Sequence, residues 1–75
     1  MTRKECERRV YQLLDEIECV CAEYMPGIMV SMAVFTKDKS VSAFAIDKND
    51  EKLLDVFRYS DGEVRFGAEE QNDAV

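Results

Sequence analysis

The fold is decided by the first third of the chain, residues 2–24, which read TRKECERRVYQLLDEIECVCAEY. At about 100° per residue, the apolar side chains fall on one stripe about 120° wide, as expected for a helix packed on a single core. Thr2 followed by Glu5 is a capping box, and Pro26 with Gly27 predicts that the helix ends near Tyr24. The apolar stripe consists of Cys6, Val10, Leu13, Leu14, Ile17, Val20, Cys21 and Tyr24.

Two strand-forming stretches follow, residues 28–36 and 40–47, and residues 37–39 separate them. A three-residue loop would gather the large side chains on one face against the helix, whereas a two-residue loop would scatter them. We therefore expect the three-residue loop, although Lys39 would then occupy a left-handed position where Gly is usual. The predicted helix-facing set is Ile28, Val30, Met32, Val34, Phe44 and Ile46, and the opposite set is Ser31, Ala33, Phe35, Val41, Ala43 and Ala45.

A polar connector, residues 48–52, leads to a second predicted hairpin, residues 53–59 and 64–66. Asp61 and Gly62 supply the central residues of a type I′ turn. Its register would place Arg58 opposite Arg65, an unfavourable pair of like charges. The rival interpretation of residues 50–59 is a short helix with its apolar side chains inward. The cross-strand pairs of the hairpin would be Tyr59 with Val64, Arg58 with Arg65 and Phe57 with Phe66.

These elements predict a single α+β domain over residues 1–67. It has one N-terminal helix packed on a three- or four-stranded antiparallel sheet, in the order αββββ. The rival helix would change the order to αββαβ. Residues 68–75 carry no large apolar side chain before Val75, and we expect a disordered acidic tail there.

The composition excludes several classes of function. Asp and Glu number 16 against 10 Lys and Arg, for a net charge of −6, which argues against a general nucleic-acid binder. Histidine is absent, which removes the commonest general base and zinc ligand. Cys19 and Cys21 would point about 200° apart on a helix, so they form no metal pair. We expect no enzyme activity, no catalytic residue, no cofactor and no metal.

The compartment is inferred from the cysteines and from hydropathy. Cys6, Cys19 and Cys21 are an odd number without the spacing of a disulfide framework, which favours a reducing cytoplasm. No apolar run reaches the roughly 18 residues of a membrane span. The charged N-terminus also lacks the apolar segment of a secretory signal. We expect a cytoplasmic protein without membrane contact.

The helix charges are ordered against the helix dipole. Four basic residues lie in its first turns and four acids in its C-terminal half, at a cost of roughly 0.3–1 kcal/mol per exposed terminal charge. The structural interpretation is compensation by a Glu5–Arg9 pair and by bases elsewhere in the fold. The functional interpretation is an acidic surface that steers a basic partner. The bases are Arg3, Lys4, Arg8 and Arg9, and the acids are Asp15, Glu16, Glu18 and Glu23.

One helix covers one face of a sheet, so the other predicted face stays open. Met29, Ala33, Phe35 and Val41 are its candidate partner-binding residues, because an exposed apolar patch of several hundred Å² usually marks an interface. The sequence thus indicates a small acidic, non-enzymatic protein-binding module. Its concrete form is a phage or mobile-element inhibitor of a nucleic-acid-handling complex, DNA-mimicking or anti-CRISPR-like. The alternative is a structural homo-oligomer or accessory subunit of a larger assembly. Both predict a protein partner, basic or a second copy, rather than nucleic acid.

Overall fold

The computed structural model describes residues 1–67 and confirms the α+β fold with the order αββββ. The four strands form one antiparallel sheet in the order β1-β2-β3-β4. Residues 68–75, where an acidic tail is expected, lie outside the described residues. Within residues 1–67, no helix combines the length and the apolar character needed to cross a membrane. The elements are α1 (Arg3–Tyr24), β1 (Ser31–Phe35), β2 (Ser40–Ile46), β3 (Lys52–Arg58) and β4 (Val64–Phe66).

The helix begins and ends where the sequence predicts. At its N-terminus, Thr2 Oγ1 accepts a hydrogen bond from the Glu5 N–H at 3.1 Å, and the Thr2 hydroxyl donates to Glu5 Oε1 at 3.0 Å. At its C-terminus, the Met25 N–H donates to the Cys21 carbonyl at 2.8 Å. Gly27 then takes a φ of 81°, a left-handed conformation that turns the chain toward β1.

The first hairpin differs from the prediction by one residue of register. Its loop has four residues, 36–39, and Phe35 pairs with Ser40 and Val34 with Val41. Lys39 takes the expected left-handed conformation, with a φ of 57°. Because the loop has an even number of residues, the faces of β2 are exchanged relative to β1. The predicted gathering of large side chains is therefore wrong.

Particular residues show the consequences of this shift. Phe44 pairs with Ser31, so it lies on the face opposite Met32 and Val34. The strand β1 begins at Ser31, so Ile28 and Val30 precede the sheet. The following side chain on β2, Ala45, pairs with Leu54, and a bulge there shifts the next pair to Ile46 with Lys52.

The second hairpin contains a strand where the rival interpretation placed a helix, so the order αββαβ is wrong. The Tyr59 N–H donates to the Glu63 carbonyl at 2.8 Å, and the Gly62 N–H donates to the Tyr59 carbonyl at 2.9 Å. These bonds close a three-residue loop with Gly62 at a φ of 93°, a type I turn followed by a left-handed residue. The predicted type I′ register is also wrong, because Arg58 pairs with Val64 and Phe57 with Arg65.

The register defines two faces of the sheet, since cross-strand partners point to the same side. We call the face bordered by Ile17 of α1 the helix-side face, and the other the outer face. Met25 and Ala45, 6% and 2% exposed, are the only buried apolar residues of the described chain. The helix-side face carries Met32, Val34, Val41, Ala43, Ala45, Leu54, Val56, Arg58, Val64 and Phe66. The outer face carries Ser31, Ala33, Phe35, Ser40, Ser42, Phe44, Asp55, Phe57 and Arg65.

Candidate interaction surface

The apolar stripe of α1 is largely uncovered. Residues 1–20 are all exposed, and Val20 and Leu13 are 67% and 42% exposed. Only Cys21 of the stripe is half-buried, and Cys6, expected in the core, is exposed. An amphipathic helix in a closed core would bury this stripe. The helix therefore presents an apolar surface that the chain itself does not cover.

The contact between α1 and the rest of the chain lies in the C-terminal half of the helix. Leu14, Ile17, Cys21 and Met25 line a shallow groove of about 330 Å³. The other wall of this groove comes from the segment that enters β1, namely Ile28, Val30 and Met32. The side of the stripe nearest the sheet is thus partly covered, and the side that holds Leu13 and Val20 is not.

A second groove, which we call the helix–sheet groove, lies between Ile17 and the helix-side face. Its volume is about 370 Å³, and apolar side chains of all four strands dominate its lining. Arg58 is its charged member, and Arg58 Nη2 donates to the Lys39 carbonyl at 3.0 Å. The groove is therefore an apolar trough beside the helix. Its strand lining includes Met32, Val34, Val41, Val56, Val64 and Phe66.

The predicted open-face residues do not lie together. Ala33 and Phe35 are on the outer face, where Phe35 is 54% exposed. Val41 is on the helix-side face, pairs with Val34 and is half-buried. Met29 is exposed in the segment before β1. The prediction that Ala33, Phe35 and Val41 share one face is wrong, because the hairpin loop has four residues instead of three.

The outer face is more polar than the sequence predicts, and its side chains contact one another. The rings of Phe57 and Tyr59 lie 4.6 Å apart between centroids. Arg65 Nη1 donates to the Tyr59 hydroxyl at 2.8 Å, and Lys52 Nζ lies 3.3 Å from Asp55 Oδ2. Serines at three positions also interrupt the apolar pattern. The apolar surface that most needs a cover is thus the helix-side face.

The four predicted acids of α1 are all exposed. Within residues 1–67, none of Asp15, Glu16, Glu18 and Glu23 forms an ion pair with a basic side chain. The ion pair of the helix is Arg3–Glu7 at 2.8 Å, instead of the expected Glu5–Arg9. The predicted compensation therefore does not reach the C-terminal half.

The sequence placed Val34 on the helix-facing side but did not identify Val41, Val56, Val64 and Phe66 as its neighbours in the helix–sheet groove. Val34, Val56, Val64 and Phe66 come together only because both hairpin loops are one residue longer than predicted. The available signal was Lys39. A three-residue hairpin loop usually has Gly at the left-handed position, so a lysine there argued against the three-residue loop.

One cysteine and two acids of α1 form a further cluster. Ligand atoms of Asp15, Glu18 and Cys19 lie within 4.8 Å of one another, and all three residues are exposed. Cys19 is a free thiol among carboxylates, and the cluster lies on the solvated side of α1.

Comparisons with known proteins add no further information about this surface. The chain matches no protein-family model, no curated protein and no solved structure. The function is therefore inferred from the exposed stripe of α1, the helix–sheet groove and the charges of the helix.

Proposed function

We propose that this chain is a non-enzymatic protein-association module that completes its core with another protein molecule. The observation that carries the proposal is the balance of burial: two apolar residues are buried in the described chain, and the stripe and groove remain open. Folded monomers seldom expose contiguous apolar patches larger than a few hundred Å². A surface of this kind is typical of a subunit in an assembly.

The exposure of individual side chains supports the same proposal. Val20 of the stripe is 67% exposed, and Val34 of the helix–sheet groove is 71% exposed. The helix and the sheet of the described chain are therefore two layers that are only partly in contact.

The stability of the dilute chain tests the proposal. Urea unfolding at 0.1 µM, followed by far-UV circular dichroism, should give an unfolding free energy below about 3 kcal/mol, because the isolated core is so small. Hydrogen exchange of the β2 amides should be correspondingly fast. A dilute, monomeric chain with more than about 5 kcal/mol of stability and protected β2 amides would refute the proposal, since such a chain needs no partner.

A finer candidate function is an inhibitor of a nucleic-acid-handling complex, as the sequence suggests. The unpaired acids of the described helix support it, because a row of carboxylates attracts the basic surfaces that bind phosphates. Captured host protein should be displaced by duplex DNA and by about 0.3 M salt. An Asp15→Asn, Glu18→Gln variant should capture less, and an Asp61→Asn variant the same amount. Capture that neither salt nor DNA reduces would exclude this candidate.

A further inference from the structure

We propose that the partner is a second copy of this chain, with the two α1 helices packed antiparallel across a two-fold axis. A second copy would cover the stripe of α1 and the helix–sheet groove, and this proposal rests on the proposed function. In this arrangement, the N-terminal half of each helix fills the helix–sheet groove of the other copy. The basic half of each helix then lies beside the acidic half of its partner.

The sheet is wide enough for two helices. Four strands spaced by about 4.8 Å make a layer roughly 15–19 Å wide, and packed helices lie 8–10 Å apart. Two helices side by side therefore cover such a face, and one helix covers about half of it. In this chain the C-terminal half of α1 lies on one side, through Ile17 and Cys21, and the helix–sheet groove marks the other.

The N-terminal half of α1 is the segment available to fill the groove of another copy. The N-terminal half of α1 carries Cys6, Val10 and Leu13, all exposed. An antiparallel partner places its N-terminal half beside the C-terminal half of α1, over the same sheet. The two-fold axis repeats the arrangement on the second sheet, so both grooves are filled by one isologous interface.

Most of the stripe is spaced symmetrically along the helix. Cys6 and Cys21, Val10 and Ile17, and Leu13 and Leu14 are pairs equidistant from one point between Leu13 and Leu14, whereas Val20 and Tyr24 mirror Glu7 and Arg3. Reversing the helix about that point therefore brings six of the eight apolar positions onto apolar positions. The central part of the stripe is thus self-complementary in the antiparallel direction.

The charges along one edge of the stripe are complementary when two helices run antiparallel. Arg9, Glu16 and Glu23 are spaced by seven residues, so they follow the same edge of the helix. In an antiparallel pair, equivalent edges of the two helices face each other. With the axis between Leu13 and Leu14, Arg9 of one copy lies closest to Glu16 of the other, an acid that has no basic partner within residues 1–67. In a parallel pair, this edge would face the edge of Glu7 and Leu14 instead.

A charge-exchange experiment tests the arrangement. The Arg9→Glu variant gives an all-acidic edge, and the Glu16→Arg, Glu23→Arg variant gives an all-basic edge. Each variant alone should self-associate roughly 10- to 30-fold more weakly than the wild type, because two symmetric pairs become repulsive. A mixture of the two should form heterodimers with affinity near that of the wild-type homodimer. Sedimentation velocity gives the dissociation constants, and circular dichroism verifies the helix content.

The control is Arg8→Glu, which makes the same change one residue away, on the side of the helix opposite the stripe. Its self-association should equal that of the wild type. Equal weakening by Arg8→Glu and Arg9→Glu, or a mixture that associates no better than its components, would overturn the antiparallel arrangement.

Disulfide trapping gives an independent readout of direction. A Cys19→Ser, Cys21→Ser variant keeps only Cys6, and a Cys6→Ser, Cys19→Ser variant keeps only Cys21. Oxidation of their mixture should yield mainly the Cys6–Cys21 crosslink, because those positions meet in the antiparallel pair. Predominant Cys6–Cys6 and Cys21–Cys21 crosslinks would show parallel helices and refute the arrangement.

The outcomes for this inference and for the proposed function are distinct. A wild-type chain that is unstable when dilute and remains monomeric at 100 µM would refute the homodimer and leave association with a different protein. A dilute monomer that is stable by itself would refute both.

Discussion

Replacing Val34 with Asp tests which face of the sheet is covered, and Phe35→Asp is its matched control. The two residues are neighbours on β1, an edge strand, and point to opposite faces. In the isolated chain, Val34 and Phe35 are 71% and 54% exposed. Either substitution therefore removes little buried surface, and both introduce the same poor strand former. In the monomer, the two variants should differ little in stability.

In the antiparallel dimer the two substitutions differ sharply. Burying a whole Val side chain is worth about 1.5–3 kcal/mol, so covering the exposed part of Val34 contributes about 1–2 kcal/mol per copy. The two-fold axis doubles this to about 2–4 kcal/mol for the dimer. Loss of that term alone weakens dimerisation by roughly 30- to 1,000-fold at 1.4 kcal/mol per factor of ten. Desolvation of the new carboxylate in the apolar groove increases the effect.

Sedimentation velocity from 0.1 to 100 µM measures the dissociation constants, and circular dichroism confirms that each variant keeps its secondary structure. We expect Val34→Asp to be monomeric over concentrations at which Phe35→Asp and the wild type are dimeric. An unchanged dissociation constant for Val34→Asp would show that the helix-side face is not the interface. A loss confined to Phe35→Asp would show that the outer face is the interface, and the reasoning from the groove would be wrong.

Three further predictions concern stability, each measured by urea unfolding at about 100 µM, where association adds to the small stability of the isolated chain. Met25→Ala should lower the unfolding free energy by about 2–5 kcal/mol, because Met25 is one of two buried apolar residues; a change below 0.5 kcal/mol, within the range of a surface substitution, would contradict its place in the core. Thr2→Ala should cost about 1 kcal/mol, since the Thr2 oxygen caps the Glu5 N–H, whereas Thr2→Ser should cost much less; equal losses would exclude capping. Lys39→Gly should stabilise the chain by about 0.5–1 kcal/mol, and Gly62→Ala should destabilise it by about 1 kcal/mol or more. The reason is that both positions have positive φ, which glycine adopts without strain. Effects of the same sign would contradict the loop conformations.

The elements of the fold could be predicted from local pattern. The spacing of the stripe, the Thr2–Glu5 cap and Pro26 define α1, and these signals act over a few residues. The strand formers around Val56 favoured the second hairpin, but residues 50–59 also fitted a short helix, and the turn at Gly62 is not the predicted type I′ turn. Such signals depend on periodicity and backbone conformation, which the sequence encodes directly.

The faces of the sheet could not be predicted, because they depend on the number of residues in each loop. One extra residue exchanges the two faces of a strand. Asp61 and Gly62 fit a two-residue loop as well as the observed three-residue loop, so their identity did not decide the register of the second hairpin. The shift moved Val41 and Arg58 to the helix-side face and left Phe35 on the outer face. The predicted site was thus divided between two surfaces.

The sequence by itself determined one amphipathic helix, a first hairpin, an acidic helix surface and the absence of histidine, because these follow from composition and short-range periodicity. It left residues 50–59 open between a strand and a short helix, and the structure shows the strand β3 there. Only the tertiary structure decided that the open apolar surface is the helix-side face together with the stripe of α1. The physical reason is that burial is a property of the whole packed chain. Leu13 and Val20 are apolar in the sequence, but only the placement of the sheet shows that this chain leaves them uncovered.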